Sequence, residues 1–140
     1  MKMKHLKGIA LAAAAVVGLA ACGGSSESSD TTAAAGGDYS NLKVAVVYIG
    51  VPGDAGYTYQ HDQGIAALEA ELGITVTRLE NIPEGAESAA TFDQLAAEGY
   101  NLIFGTSFGY MDPMLEVSAK YPEVCFEHAT GYKTSTNLGT

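Results

Sequence analysis

Two short stretches concentrate the side chains able to do chemistry. The first, Gly50–Tyr57, spaces its glycines G-x-x-G-x-x-G and carries one carboxylate, Asp54, with aromatic faces at Tyr57 and just beyond at Tyr59. The second, Gly105–Asp112, repeats the recipe with Thr106, Ser107, Phe108, Gly109, Tyr110 and Asp112. A carboxylate suits the hydroxyls of a sugar or the amine edge of a base. An aromatic face suits a planar ring, and one stacked base is worth about 1–3 kcal/mol. Asp112 also has a purely architectural reading, as the cap of a helix that begins at Pro113. Phe108 reads equally well as a core side chain. The glycine spacing fits neither a dinucleotide fingerprint nor a phosphate loop, which need G-x-G-x-x-G or Gly-Lys-Ser/Thr. Asp54 would also place negative charge where a phosphate lies.

Other chemistry is thinly supported. His61-Asp62 has no ligand-type partner four residues on and reads as a solvated helix face. His128 follows Glu127 at the end of an apolar stretch, either lining a cleft or serving the fold. Cys125 reads as a buried structural cysteine. Ser107 lacks a G-x-S-x-G elbow. No nucleophile–base pair stands out, so the pattern points to binding without catalysis and calls for no metal or cofactor.

The elements that must carry these loops alternate strand and helix. Leu42–Ile49 is a near-continuous β-branched run that suits a strand buried on both faces of a parallel sheet. Thr58–Leu72 places Ile65, Leu68 and Leu72 on one helical face, with Gly73 as its stop. Ile74–Leu79 alternates as a second strand, and residues 81–85 form a loop. Ala86–Glu98 packs Ala89, Phe92, Leu95 and Ala96 as a second helix. Asn101–Thr106 and Val124–His128 are further strands, separated by a third helix running from Asp112-Pro113 to about Lys120. Ala129–Thr140 reads as loop. This order implies an α/β domain with a parallel sheet and flanking helices. In such sheets ligands sit outside the carboxyl ends of the strands at a switch point. The loops at Gly50–Tyr57, Glu80–Gly85, Gly105–Asp112 and His128–Lys133 lie at that edge.

The 140 residues hold sixteen acidic and seven basic side chains. From Cys22 onward only Lys43, Arg78, Lys120 and Lys133 oppose all sixteen acids, which excludes nucleic acid as a partner. Two cysteines cannot build a disulfide framework. The other three lysines crowd the first seven residues, ahead of an apolar run at Gly8–Leu19 that is too short to span a bilayer. Residues 1–21 therefore read as a signal peptide. Leu19-Ala20-Ala21-Cys22 resembles a bacterial lipobox, with Cys22 as the lipid-carrying new N-terminus. Residues 22–38 have no large apolar side chain and read as a flexible tether. Residues 39–140 form the folded part. The protein is expected to be exported and lipid-anchored to the cell membrane, facing the periplasm or the exterior.

The lipobox, together with Val44–Gly50 (VAVVYIG), Gly53–Gly64 (GDAGYTYQHDQG), Leu102–Pro113 (LIFGTSFGYMDP) and Phe126–Lys133 (FEHATGYK), resembles the basic membrane protein family, the PnrA-like substrate-binding lipoproteins of ABC importers. The resemblance covers nearly all of residues 43–140. It implies a two-lobed type I periplasmic-binding fold that captures purine nucleosides or bases such as adenine between its lobes and delivers them to a permease. It implies that Asp54 holds polar ligand atoms and that Tyr57 replaces a stacking aromatic. Thr58 stands where many members have Asn, which favours a free base over a nucleoside. Ser107, Phe108 and Asp112 border the ligand in this reading. Members are considerably longer, so the sequence is expected to be a truncated part of the amino-terminal lobe. A sugar receptor of the same fold, a surface nucleoside hydrolase and a non-transport surface lipoprotein are the competing functions.

Overall fold

The computed structural model describes residues 38–140. The expected signal peptide, Cys22 and nearly all of the expected tether therefore lie outside the described residues. Five strands form one sheet: β1 (Val44–Tyr48), β2 (Val76–Leu79), β3 (Leu102–Thr106), β4 (Cys125–His128) and β5 (Leu138–Gly139). Their spatial order is β2-β1-β3-β4-β5 and every pairing is parallel. Three helices connect them: α1 (Tyr57–Leu72), α2 (Ala86–Ala97) and α3 (Met111–Ser118).

All five residues of β1 are buried, and their side chains alternate between two cores. Ala45 and Val47 join Phe92 and Leu95 of α2, Met114 and Val117 of α3, and Ile103 and Phe126 of the neighbouring strands. Val44, Val46 and Tyr48 join Val76 and Ile65, with Leu68 of α1 packed against them. A strand covered on both faces needs apolar residues at consecutive positions, which is what the β1 run supplies. The helix ends follow their local chemistry. Gly73 stops α1 in the left-handed region (φ 66°), its amide donating to the Glu69 carbonyl at 2.9 Å.

Three expectations are corrected. Residues 129–140 are not all loop, because Leu138–Gly139 adds β5 to β4. Asn137 sets this up: its side-chain amide donates to the carbonyls of Ser118, Tyr121 and Val124 at 2.8–3.1 Å. Asp112 does not cap α3. A 3-10 turn at Phe108–Tyr110 runs straight into the helix, so Tyr110 takes the cap position and Asp112 lies in the first turn. Cys125 is an exposed free thiol, because alternation along β4 buries Phe126 and His128 and leaves Cys125 and Glu127 outward.

Candidate functional site

The chain adds β2 on one side of β1 and β3 on the other, so the switch point lies between β1 and β3. Tyr48 and Thr106 are register partners at the carboxyl ends of these two strands. The loops that follow them are the two singled out by composition, and they flank one edge of the sheet.

The first loop is organised by Asp54. The 3-10 turn Pro52–Asp54 and the left-handed Ala55 (φ 52°) fold the chain back so that the carboxylate meets the start of α1. It accepts the amides of Gly56 (2.8 Å), Thr58 (3.0 Å) and Tyr59 (3.0 Å). Those bonds hold its pKa down at about 2. Asp54 thus satisfies donors that the helix cannot satisfy itself, and its charge suits the helix N-terminus. A carboxylate offers about four acceptor sites, so one remains for a ligand N–H or O–H. Thr58 is buried, and a Cβ on Gly50 would lie 3.0 Å from its hydroxyl oxygen. Tyr57 and Tyr59 are exposed at 43% and 40%. The Tyr57 ring meets the edge of His61, with 4.5 Å between centroids. His61 is consequently half-buried rather than solvated, and burial lowers its pKa.

In the second loop the polar groups are also engaged within the protein. Ser107 is buried and its hydroxyl donates to Glu84 at 2.5 Å. Asp112 pairs with Lys133 at 2.5 Å. Phe108 is not a core residue. It is 57% exposed, and its ring lies 6.4 Å from that of Tyr132, itself 71% exposed. The edge therefore presents exposed rings at Phe108 and Tyr132, with Tyr57 and Tyr59 exposed at the start of α1 on different sides of the helix, and the polar neighbours mostly support the backbone.

Three contributors, Glu84, Tyr132 and Lys133, were not picked out from sequence. Glu84 and Tyr132 lie in the other two loops expected at this edge, which was the available signal. Lys133 is one of only four cations beyond Cys22. His128, read from sequence as either lining a cleft or serving the fold, is buried; its Nε2 donates to the Ser107 carbonyl at 2.6 Å, and its Nδ1 has no partner among the described residues.

A separate cavity of about 360 Å³ opens between α1 (His61, Ile65, Leu68) and the β3–β4 region (Phe104, Thr106, His128). None of the seven residues expected to bind ligand lines it. Its walls are mainly apolar, and His61, Thr106, Glu127 and His128 are the polar residues that line it. Among the described residues no cluster of His, Cys, Asp or Glu could hold a metal ion.

The parallel sheet with flanking helices is a fold shared with several solved proteins. It superposes on an ABC transporter solute-binding protein from Conexibacter woesei with a TM-score of 0.63 at 24% identity, covering 69% of this chain and 33% of that one. A solute-binding protein from Aeropyrum pernix gives 0.62 at 24%, covering 69% and 27%. A transcriptional activator from Bacillus halodurans gives 0.59 at 20%, covering 69% and 32%, so this fold alone does not define a function.

Sequence similarity is more specific. Residues 41–140 match the family described as ABC transporter substrate-binding protein PnrA-like, and the chain belongs to it. A purine-binding protein of Brucella abortus is 54% identical over 99 residues, which is 69% of this chain and 28% of that protein. A protein of Haloferax volcanii, named for glucose binding in an ABC transporter, is 40% identical over 98 residues, covering 70% and 25%. The chain thus spans 28% and 25% of the length of these relatives. The family and these relatives are substrate-binding proteins rather than enzymes.

Proposed function

We propose that this chain contributes one wall of an extracytoplasmic purine receptor, which passes a purine base or nucleoside to an ABC permease. The observation that carries the reading is the set of exposed aromatic faces, Tyr57, Tyr59, Phe108 and Tyr132, around the β1–β3 switch point. The relative named for purine binding supports the choice of ring. Asp54 remains ionised at every physiological pH and keeps an acceptor site for a base amine or a ribose hydroxyl.

The energetics require more than this wall. A micromolar site needs about −8 kcal/mol, and two stacked faces supply about 2–6 kcal/mol. Burial and hydrogen bonds from a second lobe would supply the rest, as the two-lobed reading implies. Residues 39–140 are then part of the amino-terminal lobe, and a lipid on Cys22 keeps the receptor at the membrane surface.

Calorimetric titration of the native protein, extracted from membranes, tests the reading with adenine, adenosine, guanosine, ribose and glucose. Heat with at least one purine and none with the sugars is expected; binding of glucose or ribose with no response to purines overturns it. The Haloferax relative gives the sugar reading its one specific support. Intact mass tests the anchor, which requires the acyl increment on a chain beginning at Cys22.

A further inference from the structure

Phe108 is exposed, yet the turn that carries it is held from two sides. Ser107, immediately before the ring, is extended (φ −155°, ψ 146°) and buried. Its hydroxyl donates to one oxygen of Glu84 at 2.5 Å, and the same oxygen accepts the amide of Gly109 at 2.9 Å. One carboxylate oxygen thus holds both residues that flank Phe108. On the other side the Ser107 carbonyl accepts the Tyr110 amide at 3.1 Å and His128 Nε2–H at 2.6 Å. A carbonyl cannot donate, so Nε2 carries a proton. The Tyr110 hydroxyl then donates to the Ile82 carbonyl at 2.5 Å. Residues from the β2–α2 loop and from the end of β4 therefore brace a three-residue turn.

Two glycines make room for this bracing. A Cβ on Gly109 would overlap the Glu84 carboxyl group, and one on Gly131 would overlap the His128 imidazole at Nδ1. The carboxylate and the imidazole fill the space that those side chains would take. The turn seats the fully buried Tyr110 in the core, while Phe108, between its two held neighbours, stays mostly in solvent. The bonds fix the backbone on both sides of Phe108, and so the point from which its ring projects, before any ligand arrives. Ordering a side chain at an interface otherwise subtracts from affinity.

We infer that Glu84 and His128 are positioning residues that hold the Phe108 ring ready to stack on a flat ligand. The inference rests on the purine reading for the identity of that ligand, whereas the restraint itself is independent of it. Glu84 titrates below the usual carboxylate range because Ser107 and Gly109 both donate to it, so the brace is intact at neutral pH.

Residues 1–140 contain no tryptophan, so Phe108→Trp places a fluorescent reporter at the ring; the signal is its difference from the unsubstituted full chain. Time-resolved anisotropy without ligand reads ring motion, and adenine titration reads affinity. With Glu84→Ala or Gly109→Ala added, residual anisotropy should fall and adenine should bind about 2- to 10-fold more weakly. Glu84→Gln keeps an oxygen that accepts both bonds and should stay near the parent in both readouts. A merely structural role would lower the melting temperature without loosening residue 108. Unchanged ring motion in Glu84→Ala overturns the inference, as does equal loosening in Glu84→Ala and Glu84→Gln. Looser motion with unaltered adenine affinity also overturns it. If the parent binds none of adenine, adenosine and guanosine, the purine reading fails while the anisotropy result still decides whether the brace exists.

Discussion

Tyr110→Phe removes one oxygen from the fully buried residue that joins the Phe108 turn to the β2–α2 loop. The ring stays in place, edge-on to Phe92 with 5.4 Å between centroids. What is lost is the 2.5 Å bond from the hydroxyl to the Ile82 carbonyl. A hydrogen bond of this type contributes about 0.5–1.5 kcal/mol net, and a buried partner left unsatisfied costs about 1–3 kcal/mol. Ile82 is only half-buried, which favours the lower end, and phenylalanine avoids desolvating a hydroxyl. The expected loss is about 1–1.5 kcal/mol. For a domain of roughly a hundred residues that is a fall in Tm of about 4–10 °C. Urea unfolding followed by circular dichroism measures it, with the midpoint shifting and the slope unchanged. Tyr100→Phe is the internal comparison. Its hydroxyl meets Thr77 Oγ1 at 2.9 Å on an exposed threonine that water can serve, so its loss should be under half as large. A Tyr110→Phe loss no greater than that of Tyr100→Phe would refute the claim that this hydroxyl ties the two loops together.

Phe108→Ala should weaken purine binding about 5- to 100-fold, one stacked face, with little change in Tm because the ring is mostly exposed; calorimetry and melting curves check both. Gly105→Ala would set a Cβ 3.1 Å from Phe92 and closer still to the Met114 sulfur, costing about 1–3 kcal/mol in urea unfolding, toward the low end because methionine yields. Asp54 and Glu69 have folded pKa values of about 2, from backbone amides at Asp54 and from Arg78 and the Val76 amide at Glu69. Depressed carboxylate pKa values stabilise the fold above the unfolded values near 4. That contribution should fall away as pH drops from about 4 toward 2, and urea midpoints should decline less steeply in Asp54→Asn and Glu69→Gln. Lys133→Met releases Asp112 from its ion pair and should raise adenosine affinity relative to adenine by about 2- to 5-fold, read by paired titrations.

Legibility in the sequence followed the range of the interactions. The β1 strand could be read because burial on both faces demands consecutive apolar residues, and Val44–Tyr48 supplies them. Gly73 marked the end of α1 because a left-handed stop is a one-residue property. The switch-point edge followed from strand order, and Tyr57, Tyr59 and Phe108 do stand exposed on it. What escaped was settled by distance along the chain. Glu84 meets Ser107 across 23 residues, and Lys133 meets Asp112 across 21. No local pattern records such pairs. Asp-Pro is a strong local signal for a cap at Asp112, but the preceding 3-10 turn delivers the chain into the helix two residues earlier. Asp54 caps α1 from outside the usual position, two residues ahead of Gly56, so its structural role was not visible beside its binding role. Cys125 looked buried because its strand is apolar, whereas β4 exposes alternate residues.

Amide chemical-shift mapping of the isotopically labelled protein during adenine titration asks where the ligand sits without assuming any residue role. Shifts should concentrate at Tyr57–Tyr59, Ser107–Tyr110 and Tyr132, at the carboxyl ends of β1, β3 and β4. Saturable shifts confined to Ile65, Leu68 and Phe104, around the cavity beneath α1, would contradict the account and move the binding site off the switch-point edge.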